Sequence, residues 1–291
     1  MKNCIVSQIH IPPFDPQGQL TADDKKKILD LSVSYIRNWN PDVCLILTGH
    51  GEEPLASTLN KCDDVHWEPL RPQDSGGSVI GSPAQYHSVS KGIQLAATRG
   101  FDRCFKVRGD GIVAIPNIVA AADSIIEQEK TKIFLTQQTG DQYKFGDCYM
   151  YGDIDLLSTI WDDQVAPFHA DGLRHTGANF VRYFRGTYPP TAFDPGAHIA
   201  EGKTWKQLLQ AYASFRNLPR FKIMDMRWNY HSLAQQGWET VCEKVLTNSF
   251  NFLDYTWGTT NGWHLFDAEG NLMRNGAMCS WAYGEKTFYD R

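Results

Sequence analysis

The chain has 291 residues, 42% of them hydrophobic and 21% charged, enough for one large α/β domain or two small ones with a sizeable core. A formal net charge of -5, with no Lys/Arg run beyond Lys25 to Lys27, argues against a duplex nucleic acid as partner. Seven cysteines, odd in number and widely spaced, read as buried thiols, and with no CxxC pair they do not suggest zinc.

From the amino terminus, Cys4 to Ile11 reads as a strand that ends at Pro12-Pro13. Asp23 to Trp39 then carries Ile28, Leu29, Leu31, Val33, Tyr35, Ile36 and Trp39 at helical spacing, with Thr21 placed to cap it and Pro41 to stop it. Val43 to Thr48 is a nearly continuous apolar run, the pattern of a parallel strand covered on both faces. Strand, helix and strand predict a right-handed crossover. A weaker strand spans Val65 to Pro69. The glycine-rich stretch Asp74 to Gly81 follows, but its GGSVIG lacks the GxGxxG spacing and reads as a flexible loop rather than a dinucleotide cradle. The next helix has Ser82 as cap, Pro83 in its first turn, Tyr86, Val89, Ile93 and Ala96 or Ala97 as the apolar stripe, and Gly100 as its stop. On its other face Gln85, Ser88 and Gly92 form a row whose simplest reading is solvent exposure.

Phe101 to Val113, FDRCFKVRGDGIV, is a short strand followed by a turn in which Gly109 and Gly111 bracket Asp110. Lys106, Arg108 and Asp110 alternate onto one side and reach the strand's carboxyl end, where open α/β sheets bind ligands. Two cations and one anion sharing a mouth suit a polyanion, with or without a hard cation held by Asp110. The competing reading is a surface Arg-Gly-Asp turn held by a local ion pair.

Further on, Ile115 to Lys130 reads as a helix, Lys132 to Thr136 as a buried strand, and Lys144 to Gly152 as a strand after which Asp153 caps a helix from Ile154 to Trp161. Asp147 lies inside that strand, where a cap has no use. It is either a functional carboxylate or a bulge or edge residue. Beyond about residue 165 periodicity weakens, and Pro167 to Pro195 is loop-rich, with His169 and His175. Lys203 to Phe215 is an amphipathic helix, and Glu201 just ahead of it has a sufficient explanation as an acid near the positive helix end. The tail carries Trp228, Trp238, Trp257, Trp263 and Trp281, with a hairpin turn at DAEGN, 267–271. Aromatic faces there can stack on sugar rings, though most such residues belong to a core.

GEKT at 284–287 lacks the upstream glycine of a P-loop, and no HExxH, GxSxG or protein-kinase signature occurs. The chain enters CIVSQIHI without a basic-then-apolar leader, no window approaches a membrane span, and no Asn-x-Ser/Thr acceptor is present. The expected location is a reducing cytoplasm.

Taken in order, CIVSQIHIP, VCLILTGHG, Gln85-Tyr86-His87-Ser88 with Gly92, FKVRGDGIV and FGDCYMYGDIDLLSTIW resemble the WavE family of lipopolysaccharide-synthesis proteins, over about residues 4–162. Two positions depart from the pattern: Pro83-Ala84 stands where Asn-Arg is usual, and Arg108 replaces the first acid of the GT-A DxD motif. The resemblance implies an α/β, GT-A-like (Rossmann-like) fold with a mixed, mainly parallel sheet flanked by helices and a loop- and aromatic-rich carboxyl-terminal part. Residues 1–165 would form the donor half and 166–291 the acceptor side of one continuous domain. It further implies a glycosyltransferase moving a sugar from a nucleotide-sugar donor to a glycan or glycolipid acceptor, without a transmembrane segment and compatible with peripheral membrane contact. Gln8, Thr48, Gln85, Lys106, Arg108 and Asp110 would line the donor site, Asp110 would hold Mn²⁺ or Mg²⁺, and Arg108, Lys106 or that ion would stabilise the leaving diphosphate. Asp147 or Glu201 would act as base toward the acceptor hydroxyl. The alternatives are a nucleotidyltransferase of related fold and a non-catalytic carbohydrate-binding protein.

Overall fold

The computed structural model describes residues 1–13, 20–69, 83–113, 117–128, 133–137, 145–161, 223–250, 263–266, 272–277 and 289–290. In chain order these form β1 (Asn3–Ile11), α1 (Ala22–Trp39), β2 (Cys44–Gly51), the single turn α2 (Ala56–Leu59), β3 (Asp64–Glu68), α3 (Pro83–Thr98), β4 (Arg103–Arg108) and β5 (Gly111–Val113). Next come α4 (Ile118–Gln128), β6 (Ile133–Gln137), β7 (Phe145–Asp153) and α5 (Ile154–Ile160). The carboxyl-terminal part adds β8 (Ile223–Asp225), α6 (Met226–Ala234), α7 (Trp238–Leu246), β9 (Trp263–Phe266), β10 (Leu272–Ala277) and β11 (Tyr289–Asp290).

Six strands make one sheet in the order β3-β2-β1-β4-β7-β6, with β7 antiparallel to both its neighbours and the rest parallel. The mixed, mainly parallel sheet flanked by helices is therefore formed as the sequence predicts. Alternation along the strands separates two faces. Cys4 and Val6, Ile46, Cys104 and Met150 pack under α3 and α5, whereas Ile5, Ile9, Leu45, Leu47, Phe105 and Val107 pack under α1 and α4. Helix α1 is buried on both sides: Leu29, Val33 and Ile36 meet the sheet, while Ile28, Leu31 and Tyr35 meet α6 and α7 through Met226, Tyr230, Leu233, Val241 and Val245. That double burial explains why its apolar residues exceed a single stripe.

The start of α1 and the end of α3 follow the predicted chemistry, and the predicted Ser82 cap lies outside the described residues. Thr21 and Asp24 form a capping box, Asp24 N donating to Thr21 Oγ1 at 3.1 Å and Thr21 N to Asp24 Oδ2 at 2.9 Å. Helix α3 ends at Gly100, at φ +69°, with Phe101 N donating to Ala96 O at 3.1 Å. Asp153 precedes α5 as expected, but its side chain makes no cap bond. It instead accepts from Arg103 Nε at 3.0 Å, because Arg103 faces it across the β4–β7 register and offers a charged donor.

The face of α3 that carries Ser88 and Gly92 is not solvent-exposed: Ser88 is buried and Gly92 lies against the sheet. A Cβ at Gly92 would sit 2.5 Å from Val6 Cγ1 and 2.8 Å from Thr48 Cγ2. The missing side chain lets the helix settle on β1 and β2. The predicted loop at 74–81, the helix at Lys203 to Phe215 and the DAEGN turn lie outside the described residues. The strands on either side of that turn, β9 and β10, do pair antiparallel. Among the described residues no helix is long and apolar enough to cross a membrane.

Candidate functional site

Strand order reverses between β1 and β4: the chain first winds outward through β2 to β3, then α3 carries it back across the sheet to β4 on the other side of β1. In an open α/β sheet the carboxyl ends at such a reversal leave a crevice between diverging connections, and ligands bind there. The residue types change where this crevice is expected. Toward their carboxyl ends the strands exchange apolar for polar side chains on the α3 face, forming two rows. His66, Thr48, Gln8 and Arg108 are in register across β3, β2, β1 and β4, and Glu68, His50 and His10 are in register one pleat repeat further along.

Three of these seven side chains are buried, Gln8 at 4% exposure, Thr48 at 0% and His50 at 3%, and the other four are partly exposed. His10 and His50 stack with centroids 4.2 Å apart and an interplanar angle of 18°, and His50 Nδ1 lies 3.1 Å from Ser88 Oγ on α3. Thr48 Oγ1 is buried with no hydrogen-bond partner among the described residues. Burying polar atoms in this density costs free energy unless something satisfies them.

Next to the rows, the Asp110 turn is held from three directions. Gly109 N donates to Gln8 O at 2.8 Å, Ser32 Oγ to Gly111 O at 2.9 Å, and Met226 N to Asp110 O at 3.0 Å. The two glycines serve space rather than a left-handed backbone. A Cβ at Gly109 would come within 2.7 Å of Leu29 Cδ1, and one at Gly111 within 2.0 Å of the Tyr149 hydroxyl. Arg108 and Asp110 form a bidentate ion pair, Nε to Oδ1 at 2.8 Å and a terminal guanidinium nitrogen to Oδ2 at 2.5 Å, both side chains mostly buried. The local ion pair of the competing sequence reading is thus formed, but at the switch point rather than on an open surface. As a site for a resident Mn²⁺ or Mg²⁺, Asp110 does not fit: it is a single carboxylate whose oxygens already carry Arg108, against the roughly six oxygen ligands such ions take.

The structure brings Gln8, Thr48 and Arg108 into one row and places Asp110 at its end. Gln85 lies in the first turn of α3. Lys106 is placed otherwise than the shared mouth predicts: it is fully buried, with Nζ 4.9 Å from the centroid of the Trp161 ring under the helix layer. It lies about 7 Å deeper along β4 than Arg108, one pleat repeat. Because β7 runs antiparallel to β4 with Met150 opposite Lys106, the backbone of Asp147 lies toward the end of the sheet where Asp110 sits. Glu201 lies outside the described residues. Sequence reasoning did not single out His10, His50, His66 or Glu68. Their signal was a polar residue at every second position just past the apolar part of three consecutive strands.

The opposite end of β4 is a structural charge cluster. Arg103 is paired with Asp123 and Asp153, and Asp123 also accepts from Tyr151 at 2.8 Å and from Asn3 at 3.1 Å. Burial pushes the Asp123 carboxyl up, but hydrogen bonds from Arg103, Tyr151 and Asn3 outweigh it and hold the group below its ordinary value. The same burial, with the Asp123 bond, pushes the Tyr151 phenol up. An open depression of about 470 Å³ lined by Lys2, Arg37, Asp63 and Arg99 also lies at this amino-terminal edge. Its cations are engaged, Arg37 with Asp63 and Arg99 with Asp64, so the chemistry places the candidate site at the other edge.

No protein-family model and no curated protein sequence matches the chain. Among solved structures it is similar to a cytidylyltransferase from Leptospira borgpetersenii, at 14% identity over 65% of this chain and 74% of that one, with a TM-score of 0.37. It is similar to the 4-diphosphocytidyl-2C-methyl-D-erythritol synthase of Anaerococcus prevotii at 12% identity over 68% and 97%, TM-score 0.40. A glycosyltransferase that glycosylates the major capsid of PBCV-1 gives 13% identity over 65% and 79%, TM-score 0.37. Such scores carry no activity or substrate across to this chain.

Proposed function

We propose that the chain is a glycosyltransferase that moves a sugar from a nucleotide-sugar donor to a glycan or glycolipid hydroxyl, as its resemblance to the WavE family implies. The observation that carries the reading is the pair of polar rows in register across the switch point, buried at Gln8, Thr48 and His50, the first of which ends at Arg108. Gln8 and Thr48 offer an amide and a hydroxyl to the nucleoside, and Gln85 closes over them from α3. Arg108 receives the diphosphate, with Lys106 adding positive charge from beneath.

In the transfer step, the bond between the anomeric carbon and the diphosphate oxygen breaks, and its electron pair leaves on the nucleoside diphosphate beside Arg108. The acceptor oxygen forms the new bond, and its proton passes to a carboxylate. Asp147 is that base in this reading, because β7 brings its backbone toward the end of the sheet where Asp110 lies; Glu201 is the other candidate. Residues 1–165 form the donor half and 166–291 the acceptor side.

The test is a thermal-shift screen with UDP, GDP, CMP and dTDP and their sugars, followed by product analysis. A ligand confined to the native state stabilises by about 2.7 kcal/mol at a hundredfold excess over its dissociation constant, so one nucleotide is expected to raise Tm measurably. Its sugar should then be turned over with release of nucleoside diphosphate or monophosphate. Release of pyrophosphate from a nucleoside triphosphate would replace this reading by nucleotidyl transfer, and glycan binding without nucleotide affinity by a carbohydrate-binding role.

A further inference from the structure

At the β3 end of the polar rows, three metal-ligating side chains converge. His66 and Glu68 are two residues apart on the edge strand and so share a face of the sheet. His87, in the second turn of α3, reaches the same point from above. Glu68 Oε1 lies 3.0 Å from His66 Nε2 and 2.9 Å from His87 Nε2, and one ligand atom from each residue lies within 4.8 Å of the other two. All three side chains are only partly exposed.

We infer that His66, Glu68 and His87 form a binding site for a divalent first-row transition ion of the Zn²⁺ type. A tetrahedral zinc with bonds of about 2.0–2.1 Å separates its ligand atoms by about 3.4 Å. The two carboxylate–imidazole separations are within about half an ångström of that value, and the third, between the two imidazoles, lies within 4.8 Å and closes by a shift of the side chains. For both rings to bond the same carboxylate oxygen, each Nε2 carries a proton, and the ion takes the place of those two protons, which pass through water to Nδ1 of the same rings. Two imidazoles and one carboxylate are the donor set of borderline-soft ions, whereas Mg²⁺ and Ca²⁺ prefer oxygen throughout. Three protein ligands leave a coordination position for water or a bound group. The site is distinct from Asp110: β3 and β4 are three strand spacings apart, about 14 Å, too far for one ion to bridge. The inference is independent of the proposed transfer reaction. Bound metal would pin the edge strand to α3 and hold the wall of the crevice.

The experiment uses the full chain, stripped with EDTA and dialysed, and titrates Zn²⁺ against a chromophoric chelator without nucleotide. One equivalent is expected to bind and to raise Tm, with Co²⁺ giving the visible absorption of a four- or five-coordinate ion and excess Mg²⁺ failing to compete. His66→Ala, Glu68→Gln and His87→Ala should each weaken Zn²⁺ binding at least tenfold while melting like the wild type in EDTA. Independently of any variant, ¹⁵N NMR of the wild-type imidazoles should show two of the nine histidines changing on Zn²⁺ addition. Absence of stoichiometric binding, wild-type affinity in all three variants, effective Mg²⁺ competition, or imidazole signals that do not respond would each overturn the assignment.

Discussion

Replacing Gly92 by Ala tests how α3 seats on the sheet that carries the polar rows. The new Cβ would lie 2.5 Å from Val6 Cγ1 and 2.8 Å from Thr48 Cγ2, against carbon contacts of about 3.5–4.0 Å. Neither neighbour can withdraw, since both are fully buried, β-branched and fixed on central strands. The helix must then lift by about 1 Å or accept the overlap, at a cost of about 1–3 kcal/mol, and the better helix propensity of Ala returns about 0.5–1. The net loss is about 1–2 kcal/mol, or roughly 2–3 °C in Tm for a chain of 291 residues. Ser88 lies one turn away on the same face, so its contact with His50 should loosen as well. Thermal and urea denaturation measure the loss, and Val6→Ala in the same chain makes room for the new methyl. The double variant should be more stable than the sum of the two single losses by about 1 kcal/mol. A Gly92→Ala protein as stable as the wild type, or strict additivity in the double variant, would refute the close approach.

Asp110→Asn removes the charge and one acceptor oxygen from the bidentate pair that aims Arg108. Transfer should fall about tenfold or more in kcat while nucleotide affinity, measured by calorimetry, holds or rises, and wild-type transfer should survive EDTA. Full activity in the Asn variant would take Asp110 out of the mechanism, and wild-type transfer abolished by EDTA and restored by Mg²⁺ or Mn²⁺ but not by Zn²⁺ would make it a metal ligand. The carboxyls of Asp30, Asp63 and Asp123 are all held below 3.8, since hydrogen bonds from their partners outweigh the upward effect of burial. Depressed folded-state values mean that this stability is complete above the unfolded value near 3.8 and is lost as pH falls through the folded values. Acid unfolding followed by circular dichroism should therefore steepen below about pH 4. Asp123→Asn should lose about 1–2 kcal/mol at pH 7, because Arg103 keeps Asp153, and its disadvantage should shrink in acid. A constant difference between pH 7 and pH 3 would place the Asp123 contribution outside its charge.

The local grammar of the amino-terminal half was legible in the residues themselves. The Thr21 cap, the α3 stop at Gly100 and the apolar run of β2 follow from backbone chemistry and from burial on both faces of a strand, neither of which needs a distant partner. Gln8, Thr48 and Arg108 could also be nominated from position, since each sits near the end of a predicted strand. Their alignment was not legible. A row such as His66, Thr48, Gln8 and Arg108 joins residues from positions 8 to 108, and it exists only because strand order and register set them side by side. The same holds for Lys106. Strand alternation put it correctly on the face of Arg108, but whether that face meets solvent or Trp161 depends on a helix some fifty residues later in the chain. Gly92 looked like a gap in an exposed row for a related reason: helical periodicity names the faces of a helix, and only packing shows that α3 is covered on both. Likewise His66 and Glu68 lie in a weak strand with no metal-binding spacing, and they become a candidate centre only when α3 lays His87 across the edge of the sheet.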